Sequence, residues 1–190
     1  MIRILLKSSF DRIKNSYFKV FSGNNPFEDC FSDKIKKINL LYPVDGYKLT
    51  RDQYTALIFT INNIYIDEEV VVSEIEAESI GDIFNPNNDV SKYKLKHWTF
   101  DVSTTYDEYM EMDINVENAI YSSKGNWGII ISHEEHAVIG GSAIFFDIFK
   151  TKYNEFDNSI ERFQVNWEYN KKNYNSDIKW YEKFIESLNR

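Results

Sequence analysis

Residues 127–142 decide the fold, and they read WGIIISHEEHAVIGGS. The three isoleucines at 129–131 are apolar on both faces of an extended chain, which predicts a central strand covered on both sides. The polar connection 133–135 is short, so the strand that follows should pair antiparallel with the first in a hairpin. We expect the glycine pair at 140–141 to end that second strand, and Ser142 to be the N-cap of a helix.

The chain after the hairpin predicts two helices and an extended segment. Its first apolar residues recur at helical spacing, and they are Ile144, Phe145, Ile148, Phe149 and Tyr153. Residues 163–169 are predicted to form a strand or an extended segment. A last helix is predicted over 177–188, because Trp180, Phe184 and Leu188 recur every four residues, as one buried helical face requires.

The chain before the hairpin predicts two helices separated by an irregular stretch and followed by strands. The predicted helices span 2–21 and 51–62, the predicted strands 69–78, 93–102 and 119–122, and the predicted turns 81–88 and 123–126. Residues 23–49 are predicted to be irregular, and 103–117 have no clear pattern. Thr50 and Gln53 have the spacing of a capping box, which supports the second helix.

Together these elements predict an α+β fold, in which N-terminal, central and C-terminal helices pack on a mainly antiparallel sheet. The chain has 190 residues and neither a linker-like stretch nor an internal repeat, so we expect residues 1–190 to form a single globular domain. Its hydrophobic content of 43% and charged content of 27% are ordinary for a folded protein. With 7 Gly and 3 Pro, collagen-like and Pro-rich disordered structures are excluded.

Cysteine use and hydropathy indicate the compartment. Cys30 is the only cysteine and cannot form an intramolecular disulfide, which favours a reducing environment. The apolar run 2–6 is interrupted by Lys7 too early for a secretory signal. No stretch reaches the roughly 18 apolar residues of a membrane span. We therefore predict a cytoplasmic protein.

The candidate catalytic and metal-binding motifs are weak. His133 and His136 are three residues apart, whereas the helical zinc motif needs a spacing of four, and His97 is the only other histidine. Cys30 lies among acidic residues, which should raise its pKa. The turn at 140–142 lacks the lysine of a phosphate-binding loop. The sequence therefore predicts no catalytic residue, no metal and no cofactor, and hence a non-enzymatic protein.

Charge is distributed unevenly along the chain. The net charge of −8 arises from 22 basic and 30 acidic residues. Residues 65–117 hold 3 of the basic and 14 of the acidic residues, whereas residues 1–64 and 118–190 have net charges of +4 and −1. An acidic surface repels nucleic acid and anionic membranes and attracts cationic partners.

Ten acidic residues of the middle third are the predicted partner-binding residues: Asp67, Glu68, Glu69, Glu74, Glu76, Glu78, Asp107, Glu108, Glu111 and Asp113. Strict alternation along a strand would place Glu74, Glu76 and Glu78 on one face of the sheet. The neighbouring predicted strand carries three lysines that could pair with these glutamates, and they are Lys92, Lys94 and Lys96. Three lysines cannot neutralise 14 acids, so we expect part of the charge to remain available to a partner.

The hairpin segment also carries a resemblance to a known family. The residues that carry it are Gly125-Asn126-Trp127-Gly128 through Ser132, then His136-Ala-Val-Ile-Gly-Gly141, then the aromatic-rich helix after Ser142. This segment resembles a stretch found in bacterial polymorphic-toxin immunity proteins. The resemblance implies a small cytosolic antidote that binds and blocks a toxic nuclease or a similar enzyme. Such proteins commonly have no catalytic residues, so the resemblance assigns none here.

Charge and resemblance together predict a non-enzymatic inhibitor that binds a basic protein partner, such as a toxin nuclease, through an acidic face with aromatic anchors. Nucleic acid and membranes are not expected as partners, and the oligomeric state stays open. Three alternatives also stay open. A nucleic-acid mimic would need carboxylates spaced like phosphates. A small enzyme would need a concave pocket with carboxylates or histidines of perturbed pKa. A scaffold subunit would need an extended apolar patch.

Overall fold

Seven strands form one antiparallel sheet in the computed structural model, which describes residues 2–85 and 95–188. In chain order the strands are β1 (Arg3–Ile4), β2 (Lys37–Leu41), β3 (Val70–Glu74), β4 (His97–Phe100), β5 (Asn118–Ser122), β6 (Gly128–Ile131) and β7 (Ala137–Gly141). Their order across the sheet is β1-β4-β3-β5-β6-β7-β2. Every pairing between these strands is antiparallel, which confirms the predicted α+β fold.

Helices cover both faces of this sheet. In chain order they are α1 (Phe10–Val20), α2 (Arg51–Ile64), α3 (Tyr106–Met110), α4 (Ala143–Lys150), α5 (Ser159–Tyr174) and α6 (Lys179–Ser187), with short 3-10 turns at Lys7–Ser9, Asp82–Phe84 and Phe156–Asn158. On one face, α2, α3 and α4 pack with Val70 and Val72 in a first core. On the other face, α1, α5 and α6 pack with Val71 and Ile130 in a second core. Successive valines of β3 thus enter opposite cores, as the alternation of side chains along a strand requires.

The hairpin predicted within 127–142 is confirmed. β6 and β7 pair antiparallel, with Ile129 opposite Ile139. Ile129 and Ile131 lie in the first core and Ile130 lies in the second, and all three are fully buried. Because neither face of β6 meets water, the strand lies inside the sheet, between β5 and β7.

The helix after the hairpin begins as predicted, but the glycines before it do not end the strand. Ser142 is the N-cap of α4, and its hydroxyl oxygen accepts a hydrogen bond from the N–H of Phe145 at 3.2 Å. β7 nevertheless continues through Gly141. A Cβ on Gly140 would lie 2.5 Å from Cε1 of Phe31. This glycine therefore makes room for an aromatic ring from the second core instead of breaking the strand.

Three other predicted elements are confirmed. Thr50 and Gln53 form the capping box of α2, in which the N–H of Thr50 donates to Oε1 of Gln53 at 3.0 Å. The predicted strand at 119–122 is β5, and the predicted helix at 177–188 is α6. In each case the signal is local, because a cap, a turn or a single apolar face lies within a few residues of the element that it defines.

Two long-range pairings overturn local predictions near the N-terminus. The predicted helix 2–21 is helical only over Phe10–Val20, since Arg3 and Ile4 pair with β4 instead. Residues 23–49, predicted to be irregular, contain β2, which pairs with β7. Both strands gain their backbone partners from segments far along the chain, so local periodicity does not reveal them.

A third prediction is wrong near the C-terminus. The segment predicted to be extended, 163–169, lies inside α5. Phe163 and Trp167 are separated by one helical turn and are both buried in the second core. The spacing of these two rings does not distinguish the two structures, because residues i and i+4 share a face both in a strand and in a helix.

Two predicted strands are shorter in the structure. β3 covers Val70–Glu74 of the predicted 69–78, and β4 covers His97–Phe100 of the predicted 93–102. Residues 93–94, and residues 86–88 of the predicted turn 81–88, lie outside the described residues. The unassigned stretch 103–117 contains α3, which begins at a capping box formed by Thr105 and Glu108.

We expect Gly128→Ala to destabilise the contact between α1 and the sheet. A Cβ on Gly128 would lie 2.5 Å from both Cζ of Phe21 and Cγ1 of Val20. Overpacking of this kind lowers the free energy of unfolding by about 1–3 kcal/mol, which urea denaturation measures. Gly23→Ala is the control, because the nearest atom to its added Cβ, Cα of Cys30, is 3.7 Å away. Equal midpoints for the two variants would contradict the close approach.

Candidate functional site

Six of the ten predicted partner-binding acids line two pockets at one edge of the sheet. The acidic pocket has a volume of about 420 Å³, and its lining includes Arg3, Tyr65, Asp67, Glu68, Glu69, Thr99, Phe100 and Asp101. The groove has a volume of about 510 Å³ and is lined by Ile2, Ile4, Lys96, Trp98, Glu108, Glu111, Met112 and Asp113. Both are lined by β1 and β4, whose paired residues Arg3–Thr99 and Ile4–Trp98 are adjacent. Both pockets therefore lie at the β1 edge, one at the Arg3–Thr99 pair and the other at the Ile4–Trp98 pair.

The acidic pocket is built on the short connection between α2 and β3. Asp67 has a φ of 54°, the left-handed region that Asp and Asn tolerate better than most residues. Ile66 beside it is 81% exposed, whereas Glu68 is buried. The sharp turn thus separates an apolar side chain in solvent from a carboxylate under the surface.

Glu68 is buried with only one of its two oxygens hydrogen-bonded. Its side chain is fully enclosed, and Oε1 accepts hydrogen bonds from the hydroxyl of Ser122 and, at 3.5 Å, from the N–H of Lys124. Oε2 accepts no hydrogen bond in the described part of the chain, and Nζ of Lys124 lies 4.0 Å from it. A buried carboxylate oxygen without a donor costs free energy, so its position needs an explanation in the fold or in a bound group.

The groove combines an apolar floor with an acidic rim. Glu108 accepts a hydrogen bond from the N–H of Thr105 at 2.8 Å, which lowers the pKa of Glu108. Asp113 forms an ion pair with Lys96 at 2.5 Å. Their hydrogen bond lowers the pKa of Asp113 and raises that of Lys96. Glu111 forms the C-cap of α3. The carboxylates of Glu108 and Asp113 are therefore ionised at neutral pH.

The other four predicted acids lie away from both pockets. Glu74 is buried and accepts the N–H of Lys96 at 2.7 Å, and burial raises its pKa. Glu76 and Glu78 are exposed beyond the end of β3, and Asp107 forms an ion pair with Arg51 at 2.7 Å.

The predicted common face for Glu74, Glu76 and Glu78 is therefore wrong, because β3 ends at the first of them. The predicted cross-strand lysine pairing takes a different form. The ammonium group of Lys96 pairs with Asp113 rather than with a glutamate of β3. The backbone N–H of Lys96 donates a hydrogen bond to Glu74. Lys92 and Lys94 lie outside the described residues.

Negative charge exceeds positive charge at the β1 edge. Seven carboxylates and two cations, Arg3 and Lys96, line the two pockets. Arg12 pairs with Glu69 from outside, and Lys124 approaches Glu68, yet the lining carboxylates still outnumber the cations of the described residues when these two are included. Asp67 and Glu111 take part in no ion pair within the described ranges. Exposed ion pairs are also weak enough to exchange partners.

The histidines that the sequence offers as ligands or bases do not line either pocket. His136 is buried, with Nδ1 at 2.8 Å from Oγ of Ser132 and Nε2 at 3.3 Å from the carbonyl oxygen of Pro26. His97 is buried against Oγ of Ser73 at 2.9 Å. His133 is half exposed and contacts Glu117, with Nδ1 2.6 Å from Oε1. Across residues 2–85 and 95–188, no group of three His, Cys, Asp or Glu side chains is placed to hold a metal ion.

Sequence reasoning found the acids of this edge but missed its apolar part. Ile66 directly precedes the acidic run Asp67-Glu68-Glu69, but nothing in that order of residues distinguishes an exposed isoleucine from a buried one. Ile2 and Ile4 of the groove gave no signal either. They come from the segment misassigned to a helix, and only their pairing with β4 brings them to α3.

Comparison of the chain with protein-family models, with curated proteins and with solved structures finds no match. In the described part of the chain, the helices are too short or too polar to cross a lipid bilayer. The fold and the site define an antiparallel α+β protein with an acidic, partly apolar sheet edge. Its function is therefore argued from that edge.

The two buried histidines make stability depend on pH. Burial lowers the pKa of His97 and of His136 to about 4, from an ordinary value of 6.5. The unfolded chain therefore binds more protons than the folded chain between about pH 4 and 6.5. The free energy of unfolding should be largest above this window and fall as the pH drops through it, by on the order of 3 kcal/mol per histidine.

Urea denaturation at pH 7.5, 6 and 5 measures this effect, and His136→Gln should flatten the pH dependence by about half while lowering stability at pH 7.5. Gly128→Ala is the control for destabilisation alone and should keep the full dependence. Identical pH profiles for the wild type and His136→Gln would show that folding does not lower the pKa of this histidine.

Proposed function

We propose that the protein is a non-enzymatic inhibitor of the immunity type, which binds a cationic protein partner, such as a toxin nuclease, through its β1 edge. The observation that carries the proposal is the concentration of seven carboxylates and only two cations around the two pockets of this edge. Apolar side chains lie within the same edge, and an interface needs such anchors as well as charge.

A nuclease is a suitable partner on physical grounds. It must hold phosphates with lysines and arginines, so its substrate cleft is cationic. An acidic edge complements such a cleft and accelerates association through long-range attraction. Three aliphatic side chains near this edge are mostly exposed, namely Ile4 at 70%, Leu6 at 74% and Ile66 at 81%. Their burial by a partner would add a hydrophobic contribution to binding.

The placement of nucleophiles and bases supports a binding protein over an enzyme. Ser132 and Ser73, which contact His136 and His97, are fully buried, and neither pair is part of the lining of the acidic pocket or of the groove. Cys30 is buried as well, and burial raises the pKa of its thiol to about 12. The accessible acidic groups of the edge act most simply as charges that a partner neutralises.

The test uses one substitution from each pocket, at residues that form no ion pair within 2–85 and 95–188. Asp67→Asn with Glu111→Lys should slow association with the captured basic partner about tenfold or more at low salt and should reduce the salt dependence of the rate. Stopped-flow or surface-based kinetics with the purified partner measures both quantities. Asparagine is chosen at Asp67 because it tolerates the same left-handed backbone.

The matched control is Asp147→Asn with Glu161→Lys, which makes the same charge change on α4 and α5 at exposed positions. It should associate like the wild type. The partner is identified by capture from the native cell at low and high salt, and the wild type should then block its activity. Equal association rates for all three proteins at low salt would count against the edge. Release of the partner by DNA in place of salt would favour the nucleic-acid mimic.

A further inference from the structure

We infer that the acidic pocket holds one arginine side chain of the partner, with Glu68 as the carboxylate that binds its guanidinium group. This inference rests on the proposed function, because it names the chemical group that the partner contributes. It is carried by the state of Glu68, which is a different observation from the excess of acidic residues around it.

Glu68 is held in place but retains an unused acceptor. Ser122 and the backbone of Lys124 fix Oε1. Nζ of Lys124 donates to the carbonyl oxygen of Ile66 at 3.0 Å and lies 4.0 Å from Oε2, beyond hydrogen-bonding distance. Glu68 is thus a buried carboxylate in the lining of the pocket, with one oxygen that the described residues leave without a hydrogen-bond donor.

The rest of the pocket suits a long side chain with a planar cationic end. Tyr65 and Phe100 line it with aromatic surface, against which a guanidinium stem and plane can pack. Asp67 and Asp101 are exposed at the same pocket. The five N–H donors of arginine can form hydrogen bonds to carboxylates that lie in different directions. The compact ammonium group of lysine is less suited to this geometry. A volume of about 420 Å³ is enough for one such side chain.

Arg3 provides a test of the sign of the ligand's charge. It lines the pocket, it is exposed, and it forms no ion pair within the described residues. Its charge opposes a cationic ligand and would favour an anionic one. Removing this charge should therefore strengthen the binding of an arginine side chain, whereas it would weaken the binding of an anion. Arg3 joins the sheet through its backbone, so Arg3→Gln retains the strand.

The probe is N-acetyl-arginine amide, and its uncharged isostere N-acetyl-citrulline amide is the reference ligand. Titration at low salt is followed by two-dimensional NMR of the backbone amides at 65–69 and 99–102. We expect a dissociation constant on the order of 1 mM for the arginine probe and binding at least about tenfold weaker for citrulline. Glu68→Gln should weaken arginine binding about tenfold, and Arg3→Gln should strengthen it about twofold to fivefold.

Two variants complete the design. Glu161→Gln on α5 is the matched control and should bind the probe like the wild type. Asp67→Asn reports on the pocket even if Glu68→Gln fails to fold, and it should weaken binding about threefold. Equal binding of arginine and citrulline, or weaker binding by Arg3→Gln, would overturn the inference.

The probe experiment fails separately from the proposed function. Slower partner association in the double variant of the edge, combined with equal binding of the two probes, would remove the arginine site and leave the inhibitor proposal standing. Selective arginine binding, combined with a partner association rate that the double variant of the edge leaves unchanged, would support the arginine site and count against the inhibitor proposal.

Discussion

Burial of β6 on both faces is the constraint on which the rest of the structure depends. Its three isoleucines alternate between two cores, so the strand must be covered above and below. Its backbone groups pair with β5 on one side and β7 on the other. Gly128 allows α1 to approach the strand to within van der Waals contact of its backbone. The helices of both layers thus pack on a sheet whose interior strands are buried.

The same constraint determines where a binding site can lie. With β4, β3, β5, β6 and β7 inside the sheet, β1 and β2 are its edges among the strands of the described residues. β2 is packed against α5 and contributes Ile38 and Leu40 to the second core. β1 is two residues long, and its edge is where the two pockets lie. The site therefore occupies the border at which helical cover of the sheet ends.

The sequence predicts what is local and misses what is distant. The hairpin, the N-cap at Ser142 and the capping box of Thr50 each depend on residues a few positions apart, and they are confirmed. Arg3 pairs with Thr99, and a pairing across that separation leaves no periodic signal. The charge distribution along the sequence identifies the acidic residues of the site, but it does not predict where the fold places them. Their placement depends on where β3 ends and on which carboxylates the turn beside Asp67 buries.

Two buried glutamates at opposite ends of β3 show why placement matters more than the number of charges. Glu74 accepts backbone N–H groups from Lys96 and Asn115, so its charge is used within the fold. Glu68 is equally enclosed, yet one oxygen has no donor among the described residues. A carboxylate that only stabilised the fold would be expected to have both oxygens satisfied, because an unsatisfied one costs free energy. The difference between these two residues, which sequence cannot reveal, distinguishes the pocket from the rest of the acidic surface.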